Sequence, residues 1–434
     1  MKIREFFLTF LAILAVVAGE PHRFDNYQVF RLTVEVESQL KALKSVSTGP
    51  NSYEFLAEPT RIGRDVEILV PPSLQSDFDS LIAKNKINKK LLVSNFQDLV
   101  DKERPNKFAS KAAEDFGWED YHSVETIHEW LYSLEEQYEE VTVIKGGTTF
   151  EGREILGVNI NRNPGQNPGI FIESNIHSNE WITHSSTTWI INKLLTATAD
   201  EPGIKGLADN INWYIFPLVN ADGYEYTRNV YRMWRKTRSP QGLICNGVDP
   251  NRNWDVYWEK GGIGSSDNMC DGSFAGPSAF SEIEARTLSE YILSIRDNLN
   301  FYIGFHSAAN MLLLPWGHTI DPPPQHSQFM EIAEATVDAL YARHGTVYTF
   351  GSIYTTIYPA TGSSADWVYY TLDIPAFTYE FRYMDTETGE YYGALAPPEQ
   401  IQPNAEEVLD SLVVLVDKAT ELGYMNNNIG NSKK

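Results

Sequence analysis

The chain has 434 residues, 42% of them apolar, enough to bury a sizeable core in two or three domains. Its 35 basic side chains against 58 acidic ones give a formal charge of −23. That balance excludes a nucleic-acid partner, whose phosphates require a basic surface.

The first element is a targeting segment. Lys2 and Arg4 precede an apolar run over residues 6–17, which is too short to span a membrane comfortably. Val17-Ala18-Gly19 supplies the small residues a signal peptidase needs, so residues 1–19 are expected to leave a secreted protein. No later apolar run is long enough to span, and no membrane partner is expected. The chain carries two cysteines, Cys245 and Cys270. In an exported protein such a pair reads as one disulfide. It would close a loop of about 26 residues and stabilise by roughly 3 kcal/mol in the chain-entropy picture. No Asn-x-Ser/Thr sequon occurs, so N-glycosylation is not expected.

Residues 20 to 94 predict a small βαββαβ module. Strands are expected over 27–34, 53–56, 66–70 and 91–93, where apolar residues alternate or cluster. Leu40, Leu43 and Val46 fall at helical spacing, and Pro71-Pro72-Ser73 opens a second helix through Phe78, Leu81 and Ile82. A charged stretch from Asp98 to Glu114 continues as a helix and then a linker. Exposed linkers are where proteolytic nicking concentrates. Arg104 precedes a proline, so Lys107 or Lys111 is the expected cut for a trypsin-like protease.

From about residue 115 the pattern alternates. Strands are expected over 141–144, 155–160, 169–173 and 213–218, and helices over 182–195, 281–296, 328–343 and 405–422. Such alternation predicts one α/β domain whose sheet is covered on both faces.

The chemistry sits at strand ends. His177 and Glu180 are three residues apart, so one tight turn can aim both at one ion. His306 lies 129 residues downstream and ends the apolar run 300–305. Glu380 likewise ends the run 374–379. Sites in open α/β sheets form outside the carboxyl ends of strands. Two imidazoles and one carboxylate suit a catalytic zinc with one open position, and Glu380 is then a free carboxylate beside it. Taken alone, His177 and Glu180 would read as a surface turn, and Glu380 as an acid paired with Arg382.

The order of the remaining motifs changes that reading. Arg232-Met233-Trp234-Arg235-Lys236-Thr237-Arg238-Ser239, Asp249-Pro250-Asn251-Arg252-Asn253-Trp254, His306-Ser307, Tyr358-Pro359-Ala360-Thr361-Gly362 and Phe377-Thr378-Tyr379-Glu380 follow one another. In order and spacing the chain resembles the zinc carboxypeptidases of the A/B type over residues 115–422, and its N-terminal module resembles their propeptide. The resemblance implies a mixed eight-stranded sheet flanked by helices, preceded by a small α+β activation domain. It divides the chain into a signal peptide (1–19), a propeptide with linker (20–111) and a catalytic domain (112–434).

The resemblance also implies roles. One zinc per chain is held by His177, Glu180 and His306, the ligand set of carboxypeptidase A. Glu380 is the general base and Arg235 stabilises the oxyanion. Asn251 and Arg252 clamp the free carboxylate of a peptide or protein C-terminus, a task suited to a guanidinium fork. Tyr358 closes over the substrate, and Ser307 lies on the substrate side of the site. Ala365, Ile353, Ile357, Ala360, Ser363 and Thr378 line the pocket for the terminal side chain. None is charged, so an apolar or aromatic residue is expected there, because a buried cation would find no partner. Asn179, Ala308 and Ala394, with an insertion around residues 384–390, depart from the pattern at positions upstream of the scissile bond. A monomer is expected. A fold-sharing binding protein without catalysis would have lost Glu380 or a ligand, and neither is lost. No His-Glu-x-x-His endopeptidase motif and no Gly-x-Ser-x-Gly elbow occurs.

Overall fold

A computed structural model describes residues 20–46, 53–104, 116–259 and 262–426. The targeting segment and both linker lysines, Lys107 and Lys111, lie outside the described residues.

The N-terminal module has the expected element order. Strands β1 (Gln28–Thr33), β2 (Glu54–Ala57), β3 (Asp65–Val70) and β4 (Asn88–Val93) alternate with helices α1 (Glu37–Lys44) and α2 (Gln75–Asn85). The strands pair antiparallel in the order β2-β3-β1-β4. Phe30, Leu32, Val66, Ile68, Phe78 and Ile82 fill a small core of their own. Helix α3 (Phe96–Glu103) carries the chain onward. Its Phe96, Leu99 and Val100 pack with Phe24 against Met233 and Leu395, so this helix is glued to the larger domain by a shared apolar cluster.

The larger domain follows in chain order with α4 (Val124–Gln137), β5 (Val141–Thr148), β6 (Glu154–Ile160), β7 (Gly169–Ser174), α5 (Trp181–Thr196), α6 (Pro202–Asn210), β8 (Asn212–Phe216) and α7 (Ala221–Asn229). A small hairpin of β9 (Pro240–Gln241) and β10 (Cys245–Asn246) precedes α8 (Ile283–Ser294), β11 (Leu299–Ser307) and β12 (Met311–Leu314). Then come α9 (His326–His344), β13 (Thr349–Ser352), α10 (Ile353–Thr356), α11 (Ser364–Leu372), β14 (Ala376–Phe381) and α12 (Ile401–Glu421).

Eight of these strands form one mixed sheet in the order β13-β12-β14-β11-β7-β8-β6-β5. Its centre is parallel: β14, β11, β7 and β8 run together, while β12, β6 and β5 supply the antiparallel pairings. Parallel central strands are buried on both faces and therefore read as continuous apolar runs. All nine residues of β11 and all six of β7 are buried, as that rule requires. Because β7, β11 and β14 are parallel neighbours, their carboxyl ends open on one edge, and the register sets His306 directly beside Glu380.

Cys245 and Cys270 form the expected disulfide, with Cα atoms 5.2 Å apart. No helix among the described residues is long and apolar enough to cross a membrane.

Glu284 on α8 is fully buried. Burial pushes its carboxyl up to about 8, and Glu282 and Asp222 add like charge. An acid whose folded pKa is raised costs stability as pH climbs from its ordinary 4.5 through about 8, because the unfolded chain then binds fewer protons. Glu284→Gln is therefore expected to stabilise by a few kcal/mol at pH 8 and by little at pH 4. Urea unfolding at the two pH values measures this; equal effects at both would contradict it.

Candidate active site

The turn after β7 and the start of α5 deliver His177 and Glu180, while His306 comes from the end of β11. All three are buried, and one ligand atom from each lies within 4.8 Å of the other two. The inward atoms are identifiable. His177 Nδ1 lies 2.8 Å from Glu180 Oε1, His306 Nδ1 lies 3.2 Å from Glu180 Oε2, and the two Nδ1 atoms are 3.0 Å apart. Two imidazole nitrogens bound to one tetrahedral zinc at roughly 2.0–2.1 Å would stand about 3.3 Å apart. The donor set therefore fits a zinc ion. Burial alone would raise Glu180, but the two imidazoles hold its carboxyl down at about 2.

The outward nitrogens are also held. His177 Nε2 lies 3.1 Å from Asp249 Oδ1, the carboxylate–histidine arrangement that fixes a ligand's tautomer and orientation. The same Asp249 accepts from Arg235 Nε and Nη2 at 3.2 and 3.1 Å and from the Asn251 amide at 2.9 Å. Burial opposes its ionisation, yet Arg235, His177 and Arg252 together hold it well below the usual carboxylate range. One buried acid thus fixes a metal ligand, the candidate oxyanion cation and the candidate clamp. It stands within a motif visible in the sequence, but sequence reasoning gave it no role.

Glu380 is the one partly exposed residue of β14. Withdrawal from bulk water, then the Glu180 carboxylate, pushes it up to about 8 against the pull of His177, Arg235 and Arg64. It is not paired with Arg382. That guanidinium is buried against Glu407, with Nε 3.1 Å from Glu407 Oε1, and also reaches Thr346 and Gln400. Arg382 is spent on the core, which leaves Glu380 free in the cleft.

Arg235 Nη1 points back toward Glu180 Oε1 at 3.5 Å. Asn251 spans the site: its Oδ1 accepts from the Ser364 amide at 2.9 Å and its Nδ2 lies 3.4 Å from His306 Nε2. Arg252 gives Nε to Gly264 O and Nη1 to Asn251 O, at 2.8 and 2.7 Å. Two of its five N–H groups are spent on main-chain carbonyls and three remain. The Tyr358 ring centre lies 5.5 Å from its Cζ. Gly362 makes this closeness possible. It has φ +68°, and a Cβ there would meet Arg252 O at 2.5 Å. Ile353, Ile357, Ala360, Ser363, Ala365 and Thr378 are all buried around this loop, and Ser363 caps α11 by accepting from the Asp366 amide. The Ser307 hydroxyl is buried without a hydrogen-bond partner among the described residues.

The N-terminal module covers this cleft. Arg61 donates to Thr355 O, and Arg64 Nη1 to Thr356 O at 3.1 Å. The Arg64 guanidinium lies 5.9 Å from the Tyr358 ring centre, and its charge acts on Glu380. Glu58 in the same loop feels the charge of Arg235.

Residues 127–411 match the zinc carboxypeptidase family and residues 30–103 match the carboxypeptidase activation peptide. The chain belongs to the zinc carboxypeptidase family.

Among its relatives is zinc carboxypeptidase A 1 of Anopheles gambiae, 40% identical over 420 residues, which cover 95% of each chain. Carboxypeptidase A1 of Mus musculus is 33% identical over 425 residues, covering 96% of this chain and 99% of its own. The crystal structure of carboxypeptidase A from Helicoverpa armigera superposes with TM-score 0.82 at 25% identity, covering 93% of this chain and all of the other. The carboxypeptidase is thus of the A type with an activation peptide, and its His/Glu/His cluster is able to hold the metal ion of a zinc carboxypeptidase.

Two of the three outer departures of this carboxypeptidase, Asn179 and Ala394, meet at one residue through their main-chain carbonyls. Arg232 donates to Asn179 O at 2.9 Å and to Ala394 O at 3.4 Å. Its other edge pairs with Glu103 of α3 at 2.5 Å. The insertion around residues 384–390 is likewise a docking surface for the N-terminal module: Lys102 pairs with Glu390, and Tyr391 donates to Glu67 at 2.6 Å.

Proposed function

We propose that this carboxypeptidase is secreted as an inactive precursor and, once its linker is cut at Lys107 or Lys111 by a trypsin-like protease, removes single apolar or aromatic residues from peptide C-termini. The observation that carries this reading is the single cleft in which Glu380, Arg235 and the Asn251–Arg252 pair surround the zinc cluster. When bound, zinc supplies a Lewis acid for the scissile carbonyl and the attacking water. Glu380 takes a proton from that water and passes it to the leaving amine. Arg235, fixed by Asp249, offers Nη1 to the developing oxyanion. Asn251 and the remaining N–H groups of Arg252 receive the terminal carboxylate, and Tyr358 closes on it. The apolar side chains of Ile353, Ile357, Ala360 and Ala365 suit an apolar terminal residue. In the precursor Glu58 and Arg64 set opposite charges before Arg235 and Glu380, which keeps both from a substrate.

The test is turnover of blocked dipeptides ending in Phe, Leu, Lys or Glu, before and after trypsin treatment. Release of Phe and Leu only after treatment, abolished by a chelator and restored by zinc, is expected. Preferential release of Lys or Glu would overturn the pocket reading, and full activity of the intact chain would overturn the precursor reading.

A further inference from the structure

Glu173 is unexplained by the reaction above. It sits near the end of β7, fully buried, in a run whose neighbours are apolar. An acid there costs stability unless it is partnered. One oxygen is: Oε1 accepts from the Tyr302 hydroxyl at 3.1 Å and from the Ser364 hydroxyl at 3.5 Å. Oε2 has no hydrogen-bond partner among the described residues.

Its position follows from sheet register. Glu173 pairs with Gly304, and Gly304 pairs with Thr378 on its other side. Residues paired across a sheet present side chains on the same face. Gly304 and His306, two apart on β11, also share that face, as do Thr378 and Glu380 on β14. The row Glu173–Gly304–Thr378 therefore runs one step beneath the His306–Glu380 pair, on the cleft side. Ser364, which touches Glu173, also binds the clamp residue Asn251 through its amide and precedes Ala365. Gly304 has no side chain to separate the acid from the pocket: a Cβ there would come within 3.1 Å of Glu173 Oε1.

We propose that Glu173 is a polar floor of the specificity pocket and selects terminal side chains that end in a neutral hydrogen-bonding group, tyrosine above phenylalanine. The inference rests on the pocket reading given above. A phenol pairs with Oε2 as donor or as acceptor, so the fit does not depend on which partner holds the proton. A neutral group is preferred to an ammonium because the pocket walls are aliphatic and His306 Nε2, part of the metal cluster, lies 3.9 Å from the acid.

The test is the kcat/KM ratio for otherwise identical peptides ending in Tyr and Phe, with Lys as a third substrate, in the activated enzyme. A Tyr/Phe ratio of about 10 is expected, the size of one neutral hydrogen bond. Two variants remove it by different routes. The double variant E173L/Y302F replaces both partners by apolar groups, which limits the stability cost. G304A leaves the acid intact and interposes a methyl group. Both are expected to bring the ratio to about 1 while zinc content and Phe release persist. A merely structural role would lower Tyr and Phe turnover together. A wild-type ratio of 1 or below, a ratio unchanged in both variants, or faster release of Lys than Tyr would overturn the proposal. Release of none of the three would overturn the proposed substrate class, and this inference with it.

Discussion

Glu380→Gln is expected to lower kcat by about a thousandfold with zinc still bound, since a positioned general base contributes roughly 10²–10⁴. Glutamine keeps the shape and cannot take the proton. Among the described residues no metal ligand hydrogen-bonds to this side chain, and Arg382 two residues on is committed to Glu407, so the substitution leaves the surrounding structure intact. The loss corresponds to about 4 kcal/mol of transition-state stabilisation. It should fall on kcat, with KM little changed, because the proton transfer belongs to the transition state. Steady-state kinetics with metal analysis of the same sample checks this. A kcat within tenfold of the parent, at full zinc content, would remove Glu380 from the role of base.

Arg252→Ala is expected to lower kcat/KM by about a hundredfold to a thousandfold, the value of two charge-assisted hydrogen bonds to a carboxylate. Arg252→Lys is expected to recover little of this. A single ammonium cannot offer a planar fork, and it cannot hold Gly264 O and Asn251 O in the way the guanidinium does. Thermal unfolding separates the two contributions: a lysine variant with parental Tm but low kcat/KM locates the loss in substrate binding. Recovery by lysine to within a few-fold would show that charge alone suffices and that the fork is not used.

Much of this site is legible in the chain because the ligands end apolar runs. His306 and Glu380 stand after stretches that can only be buried strands, and parallel strands in one sheet must bring their carboxyl ends to one edge. The elements are legible for the same reason, with limits. Helix α12 begins at Ile401, earlier than its periodicity suggests, because Pro403 falls in the first turn, where its missing N–H costs nothing. Expected helix 281–296 closes at Ser294, and a short 3-10 turn takes over at Arg296–Asn298.

What was hidden depends on pairings between distant segments. Arg382 is two residues from Glu380 and an obvious partner for it, but it lies past the end of β14 and finds Glu407 instead. Asp249 is visible in its motif, yet only the folded chain shows it joining His177 to Arg235. Glu173 lies in a run that reads simply as strand. The Glu103–Arg232 pair links residues 129 apart, and the same guanidinium reaches the main-chain carbonyls of Asn179 and Ala394.

The central claim is that the cleft recognises a free chain end. The most direct measurement is mass spectrometry of two copies of one peptide, each ending in Leu-Phe, one with a free carboxylate and one amidated, after incubation with the trypsin-treated enzyme. Stepwise loss of Phe and then Leu from the free peptide, with the amidated copy intact, is the result expected from Asn251 and Arg252. Equal shortening of both copies, or cleavage at an internal bond of the amidated one, would contradict the account.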